Sequence, residues 1–397
     1  MSIAAGFIGA RLSQARRARA ITAADLGDMT NVSSQSISKY ENGHQTPRRD
    51  VVDRFVNVLH FPTQFFFRPV DETDQKPVFF RSKLSAQTIS LDRAKVRLEW
   101  MKEIVDYLGE FFDFPDLSLP QTDLDQIDPL NITLDDIENL AISVRSQWGI
   151  SSGPMTNCLE HIEESGILVS RIHVRAEKVD AFSQWSDKFG IPFMLLSRDK
   201  ASAVRQRFDA LHELCHILIH KNVTPSQLNN RATYKLLEKQ ADTFASYMLL
   251  PETDFLDELY SPTLDGMLSM KERWGVSVGA MIMRCKSLDL LDDASVKRMW
   301  MNYTRRGWRK GEPFDGKTEK ETPYLMKRSF EMLIEAGVKT QDEITSDLPY
   351  PLDDLEEIAG LPTGSLGSTT RIRAEPKLKS SVISDDNVVT LFNRDKV

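Results

Sequence analysis

The sequence predicts a mainly α protein with one small antiparallel sheet, an α+β chain of several units. Three observations lead there. At 397 residues the chain exceeds one ordinary domain. Apolar residues recur at helical spacing along most of it, while the β-like runs gather between Ile167 and Ser197. With 41% hydrophobic and 27% charged residues, the composition is that of a soluble folded protein and excludes a fibrous or disordered one.

Taken in order, residues 1–68 read as a domain of five short helices. The first runs from Ala5 to Ala18, and the second is capped by Thr22. Ser33 caps a third helix, Ser34 to Glu41, which Asn42-Gly43 ends. Pro47 opens a fourth with Val51, Val52, Phe55, Val58 and Leu59 on one face, and Phe65-Phe66-Phe67 closes the unit. Residues 69–90 read as a linker, polar from Asp71 to Pro77.

A unit spanning 91–287 follows. It opens with a long helix from Leu91 to Phe112, a Pro- and Asp-rich loop, and helices at Leu134–Trp148 and Met155–Ser165. Strands are expected at Ile167–Val174, Ala181–Trp185 and Pro192–Ser197, then helices at Ala203–His220 and Ala232–Leu250. Residues 288–362 read as a helical C-terminal region and 363–397, rich in Ser, Lys and Asp, as a flexible tail.

The net charge of −8 is unevenly spread. Met1 to Val70 holds nine Lys+Arg against five Asp+Glu, about +4, which leaves −12 for the rest. A basic end on an acidic body points to a polyanion met by the N-terminus alone. No apolar run is long enough to span a bilayer, so no membrane partner is expected. Three cysteines, Cys158, Cys215 and Cys285, form no close pair, which fits a reducing cytoplasm.

The chemistry concentrates in His212-Glu213-Leu214-Cys215-His216. On the helix from Ala203, the residues Val204, Phe208, Leu211, Cys215 and Leu218 make one apolar stripe. His212 and His216 flank it four residues apart, so successive turns set their imidazoles side by side, close enough for one ion. In a helix of this pattern the carboxylate after the first histidine takes a proton from the attacking water and returns it to the leaving amine. Two histidines need a third ligand. Glu238, on the helix Leu237-Glu-Lys-Gln-Ala-Asp242, can complete a His₂Glu set for Zn²⁺, and Asp242 one turn on can accept the other ring N–H of a ligand histidine. Cys215 reads as a small core residue. His220 reads as a helix-end histidine placed for the dipole rather than as a ligand.

Beyond these residues a resemblance emerges. Arg205 to Phe208, the His212–His216 motif, Glu238 to Ala245, Leu250-Pro251 and Lys271 to Ser277 together resemble the ImmA/IrrE family of metallopeptidases over about 140–310. The resemblance implies a thermolysin-like minimal zincin site with Glu213 as general base. The family usually carries glycine at the position of Cys215. Peptidases of this group lay substrate as an added strand along a sheet edge, which makes Ala181-Phe182-Ser183-Gln184-Trp185 the expected substrate edge.

The N-terminal unit resembles the repressor-type (XRE/Cro) helix-turn-helix, carried by Ser33 to Gly43, Thr46-Pro47 and Phe65–Phe67. In that geometry the third helix enters the major groove of double-stranded operator DNA by its N-terminus. Ser34, Gln35 and Ser36 would lie nearest the bases, with Gln35 able to pair bidentately with adenine. Lys39 would reach a base or phosphate, and Asn42 and Arg48 the backbone. Such modules usually bind paired half-sites, so a homodimer is expected.

Two functions remain open. One is a DNA-binding regulator whose zinc endopeptidase domain cleaves a helix-turn-helix repressor, a partner or itself, in a stress response or mobile element. The other is a non-proteolytic repressor or antitoxin-type regulator whose metallopeptidase-like domain senses a signal or partner.

Overall fold

The computed structural model describes residues 3–70, 78–82, 88–174, 179–199, 202–317 and 319–367. Four helices open the chain: α1 (Gly9–Ala18), α2 (Ala23–Thr30), α3 (Ser34–Glu41) and α4 (Arg49–Leu59), followed by a 3-10 turn at Thr63–Phe67. Local chemistry sets the starts of α2 and α3. Thr22 and Asp25 form a reciprocal capping box, and the Ser33 hydroxyl accepts from the Ser36 amide. Between them the backbone passes so close to Gly27 that a Cβ there would stand 2.5 Å from the Val32 carbonyl oxygen. Only glycine tolerates that approach.

The expected linker is not merely a linker. Phe79–Ser82 forms strand β1, and the following helix, α5 (Thr88–Gly109), starts three residues earlier than anticipated. Then come α6 (Leu134–Gln147), α7 (Cys158–Glu164), β2 (Leu168–Ile172), β3 (Val179–Trp185), β4 (Pro192–Ser197) and α8 (Ala203–Ile219). A short α9 (Pro225–Asn229) precedes α10 (Arg231–Leu249) and α11 (Glu252–Glu258). The rest is helical: α12 (Leu264–Trp274), α13 (Val278–Ser287), α14 (Asp293–Arg305), α15 (Leu325–Glu335), α16 (Gln341–Asp347) and α17 (Leu352–Ala359). The expected tail lies outside the described residues from 368 onward.

The sheet is mixed, not purely antiparallel. Its order is β1-β3-β4-β2, with β3 antiparallel to both neighbours and β2 parallel to β4. A parallel pair needs a crossover rather than a hairpin. The chain meets that need by running from β2 through β3 and back to β4, which sets β4 between β2 and β3, and β1 then covers the outer side of β3.

Strand alternation sends side chains to two cores. Val169, Ala181, Met194 and Leu196 face the layer containing α8 and α10. Leu168, Ile172, Phe182, Phe193 and Leu195 face the layer containing α5. This second core is continuous with that of the first four helices and with α15 and α17. The N-terminal unit is therefore packed into the body of the protein. Trp100 of α5, fully buried, meets Phe61 and Phe65 edge-on and tilts against Tyr350, and such ring pairs contribute about 0.5–1.5 kcal/mol each beyond burial.

A buried polar node pins the same junction. Arg11 of α1 donates to both carboxylate oxygens of Glu103 on α5, at 2.9 and 2.8 Å, and the Tyr350 hydroxyl donates to Glu103 as well. Removing one member of a buried pair strands the other charge. Glu103→Ala is expected to lower unfolding free energy by about 3–5 kcal/mol, read as a shifted denaturant midpoint at unchanged slope.

This docking also reassigns the basic charge of the N-terminus. Arg11, Arg16, Arg17, Arg19 and Arg54 all sit in ion pairs, with Glu103, Glu41, Asp92, Asp354 and Asp50. Part of the excess read as a polyanion footprint is thus structural.

Candidate metal centre

Helices α8 and α10 pack side by side and bring His212, His216 and Glu238 together. One ligand atom from each lies within 4.8 Å of the others. The two Nε2 atoms are 3.2 Å apart, and Glu238 oxygens stand 3.7 Å from His212 Nε2 and 3.6 Å from His216 Nε2. Tetrahedral zinc bonds of about 2.0–2.1 Å place adjacent ligand atoms roughly 3.3 Å apart. The donor set and spacing fit a metal ion.

Hydrogen bonds fix how these rings are protonated. His212 Nδ1 donates to Asp242 at 2.9 Å, so its Nε2 faces inward as a lone pair. For His216 the chain of inference is longer. Gln240 Nε2 donates to the Pro129 carbonyl at 2.7 Å, so its Oε1 must accept from His220 Nε2 at 3.0 Å. His220 is fully buried, and burial holds its pKa well below the usual imidazole range, foremost by desolvation and then by the neighbouring His216. A neutral His220 with its proton on Nε2 must accept at Nδ1. The donor is His216 Nδ1, 2.8 Å away, which leaves His216 Nε2 as a lone pair. Two ring nitrogens 3.2 Å apart must share a proton or a cation, and with the Glu238 carboxylate beside them the arrangement suits a metal ion.

His220 does close the end of α8 and stands outside the ligand set, as expected, but it is neutral rather than a cation placed for the dipole. It is buried and carries the hydrogen bond that orients His216. The i, i+4 spacing from His216 was the available signal, but an exposed helix end and a buried one look alike in sequence. His220→Ala is expected to weaken metal affinity about 10–100-fold, read by competition with a chromogenic chelator.

Glu213 is fully buried beside the cluster and accepts from the Ser183 hydroxyl at 2.6 Å. Cys215 points into the core, and burial raises its thiol pKa well above the usual range, so it carries no thiolate chemistry. Glu238 is half-buried and Asp242 half-exposed, so the cluster opens to solvent on the α10 side.

The expected substrate edge, Ala181–Trp185, is not an edge. These residues belong to β3, which β4 pairs along Ala181–Trp185 and β1 pairs on the other side along Ala181–Ser183, with Phe79 opposite Ser183, Phe80 opposite Phe182 and Arg81 opposite Ala181. Their side chains alternate across the sheet. Phe182 is buried in the α5 core, and Gln184 accepts from Lys102 at 2.8 Å. Ser183 and Trp185 point toward α8, where Trp185 Nε1 donates to the Ile217 carbonyl. Nothing in the polar composition of residues 69–90 announced a partner strand.

In the N-terminal unit, Ser34, Gln35, Lys39, Asn42 and Arg48 are exposed, whereas Ser36 is half-buried and hydrogen-bonded to Ser33 at 2.8 Å. Ile37 and Tyr40 point inward. Asn42 donates to the Ser38 carbonyl at 2.9 Å and so helps close α3.

Comparison with protein families agrees with both halves. Residues 8–64 match a helix-turn-helix domain, and residues 162–286 match the model of a peptidase family, the IrrE N-terminal-like domain. No curated protein matches the chain. The second match contains β2–β4, α8 and α10 with the whole His/Glu cluster, but not β1. Among the described residues no helix is long and apolar enough to cross a membrane.

Proposed function

We propose that this chain, which joins a helix-turn-helix domain to an IrrE N-terminal-like domain, is a DNA-binding transcriptional regulator with a zinc-dependent endopeptidase site. The carrying observation is the convergence of His212, His216 and Glu238, both histidines turned inward by hydrogen bonds at their other nitrogen. His212, His216 and Glu238 would hold the zinc, and Asp242 and His220 orient the two imidazoles. Zinc bound there supplies Lewis acidity and brings the pKa of water toward neutrality. Glu213 takes the proton of the attacking water and delivers it to the leaving amine. The Ser183 hydroxyl aims that carboxylate.

Ser34, Gln35 and Ser36 at the α3 N-terminus read bases, Lys39 reaches a base or a phosphate, and Asn42 and Arg48 meet the backbone, on an operator bound by a homodimer in the cytoplasm. The protein cleaved is a helix-turn-helix repressor, a partner or this chain, so that cutting relieves repression. The test is to incubate zinc-loaded protein and its Glu213→Gln variant with neighbouring repressors. Cleavage by the first alone supports the reading; repressors left intact by both count against it.

One observation favours the non-proteolytic alternative. Strand β1 occupies the side of β3 that a peptide would need, as it would in a domain kept for sensing.

A further inference from the structure

The aromatic ring of Phe79 lies flat on the imidazole of His216, with centroids 4.8 Å apart and planes inclined by 11°. It also tilts against His220 at 6.1 Å, and it is buried with Val223 and Leu237, Leu228 packing at the margin. This is a small apolar cluster of its own, apart from the two large cores. Its wall is made of residues from α8 and the turn that follows it, α9 and α10, beside the ligand cluster. Its filling comes from a strand that lies outside both family matches. The register explains the placement: Phe79 is opposite Ser183, whose hydroxyl touches Glu213, so the segment runs past the proposed general base.

We propose that His216, His220, Val223, Leu228 and Leu237 form a side-chain pocket for an extended peptide bearing a bulky aromatic residue. The resident occupant of that pocket is this chain's own segment Val78–Ser82. The inference rests on the peptidase reading of the site and adds to it a substrate class and an occupant. Three observations support it. The segment is antiparallel to β3 and augments the sheet as an added peptide strand does. Its aromatic side chain is the element seated against a proposed ligand. And the strand is supplied by the stretch between the two family-matched domains rather than by the matched domain itself. A tethered occupant acts at an effective concentration of order millimolar, so it excludes free peptides present at micromolar levels. Substrate in trans reaches the site only when the segment leaves, which also removes the apparent conflict between a paired β3 and a working peptidase.

The test uses the full-length, zinc-loaded protein in a Glu213→Gln background, where nothing is cut. The probe is a fluorescently labelled synthetic peptide with the sequence of residues 75–86. Phe79→Asp, added to that background, places a charge that the apolar pocket excludes, and metal content checks that the site remains built. Fluorescence anisotropy is expected to show the probe binding the double variant at least about tenfold more tightly than Glu213→Gln alone. A probe with alanine at the Phe79 position is expected to lose that gain, and so is the wild-type probe on a triple variant that also carries Leu237→Lys. Equal affinity for both proteins, or indifference to the aromatic residue, overturns the proposal. Failure of the peptidase reading looks different: the probe then binds with its aromatic preference, yet protein with Glu213 intact leaves it and every other peptide whole. If peptides are cut without aromatic preference, the peptidase reading survives and the pocket falls.

Discussion

Glu213→Gln is expected to cut peptide hydrolysis by orders of magnitude while leaving bound metal at the wild-type level. The argument rests on separating the carboxylate from the ligands. Glu213 is fully buried and accepts from the Ser183 hydroxyl, and it is not one of the three residues whose ligand atoms converge on the cluster. Glutamine has the same shape and can still accept from that hydroxyl, so packing is retained. What it cannot do is take a proton. General-base contributions of this kind are typically 10²–10⁴-fold, and loss of about that size in kcat/KM is expected with little change in thermal stability. The measurement pairs peptide turnover with metal analysis. A variant that loses activity and metal together would mean that Glu213 helps to hold the ion.

Removing a ligand has a different signature. His212→Ala, His216→Ala or Glu238→Ala is expected to eliminate tight zinc binding and, with it, the dependence of stability on zinc. A site that binds only the folded chain stabilises it by RT ln(1 + [L]/Kd), about 4 kcal/mol when zinc is present at 1,000 times Kd. Wild-type protein is therefore expected to melt several degrees lower after chelation, and the ligand variants to melt alike with or without chelator. Differential scanning calorimetry with metal analysis checks this. Identical melting of wild-type protein in both conditions would remove the metal centre from the account.

Much of the centre could be read from the chain because helical spacing is a strong geometric constraint. Once Val204, Leu211, Cys215 and Leu218 fix the buried face of α8, His212 and His216 have few places to go, and the same holds for Glu238 and Asp242 on α10. The fold class was legible for the same reason. What could not be read depended on contacts between distant segments. The hydrophobicity of Phe79-Phe80 carried no register with Ser183, a hundred residues on. The mixed sheet followed from which edge β2 joins, a tertiary choice. The burial of His220 could not be read because its partner Gln240, itself held by Pro129, comes from another part of the chain. The arginines of α1 read as a surface patch because their acidic partners, Glu103 and Asp354, are far away in sequence.

The node of Arg11, Glu103 and Tyr350 changes what a cut near β1 would achieve. These residues come from before, after and far beyond Phe79–Ser82, and the apolar core around Trp100 joins the same three segments. A backbone break between 70 and 88 would therefore give a nicked protein, its two pieces held in register by packing, rather than a freed DNA-binding fragment. Separation would then proceed at the rate at which that interface opens, so any loss of DNA-bound regulator would lag behind bond cleavage. Timing would be set by the junction between α1 and α5 as much as by the centre that performs the chemistry.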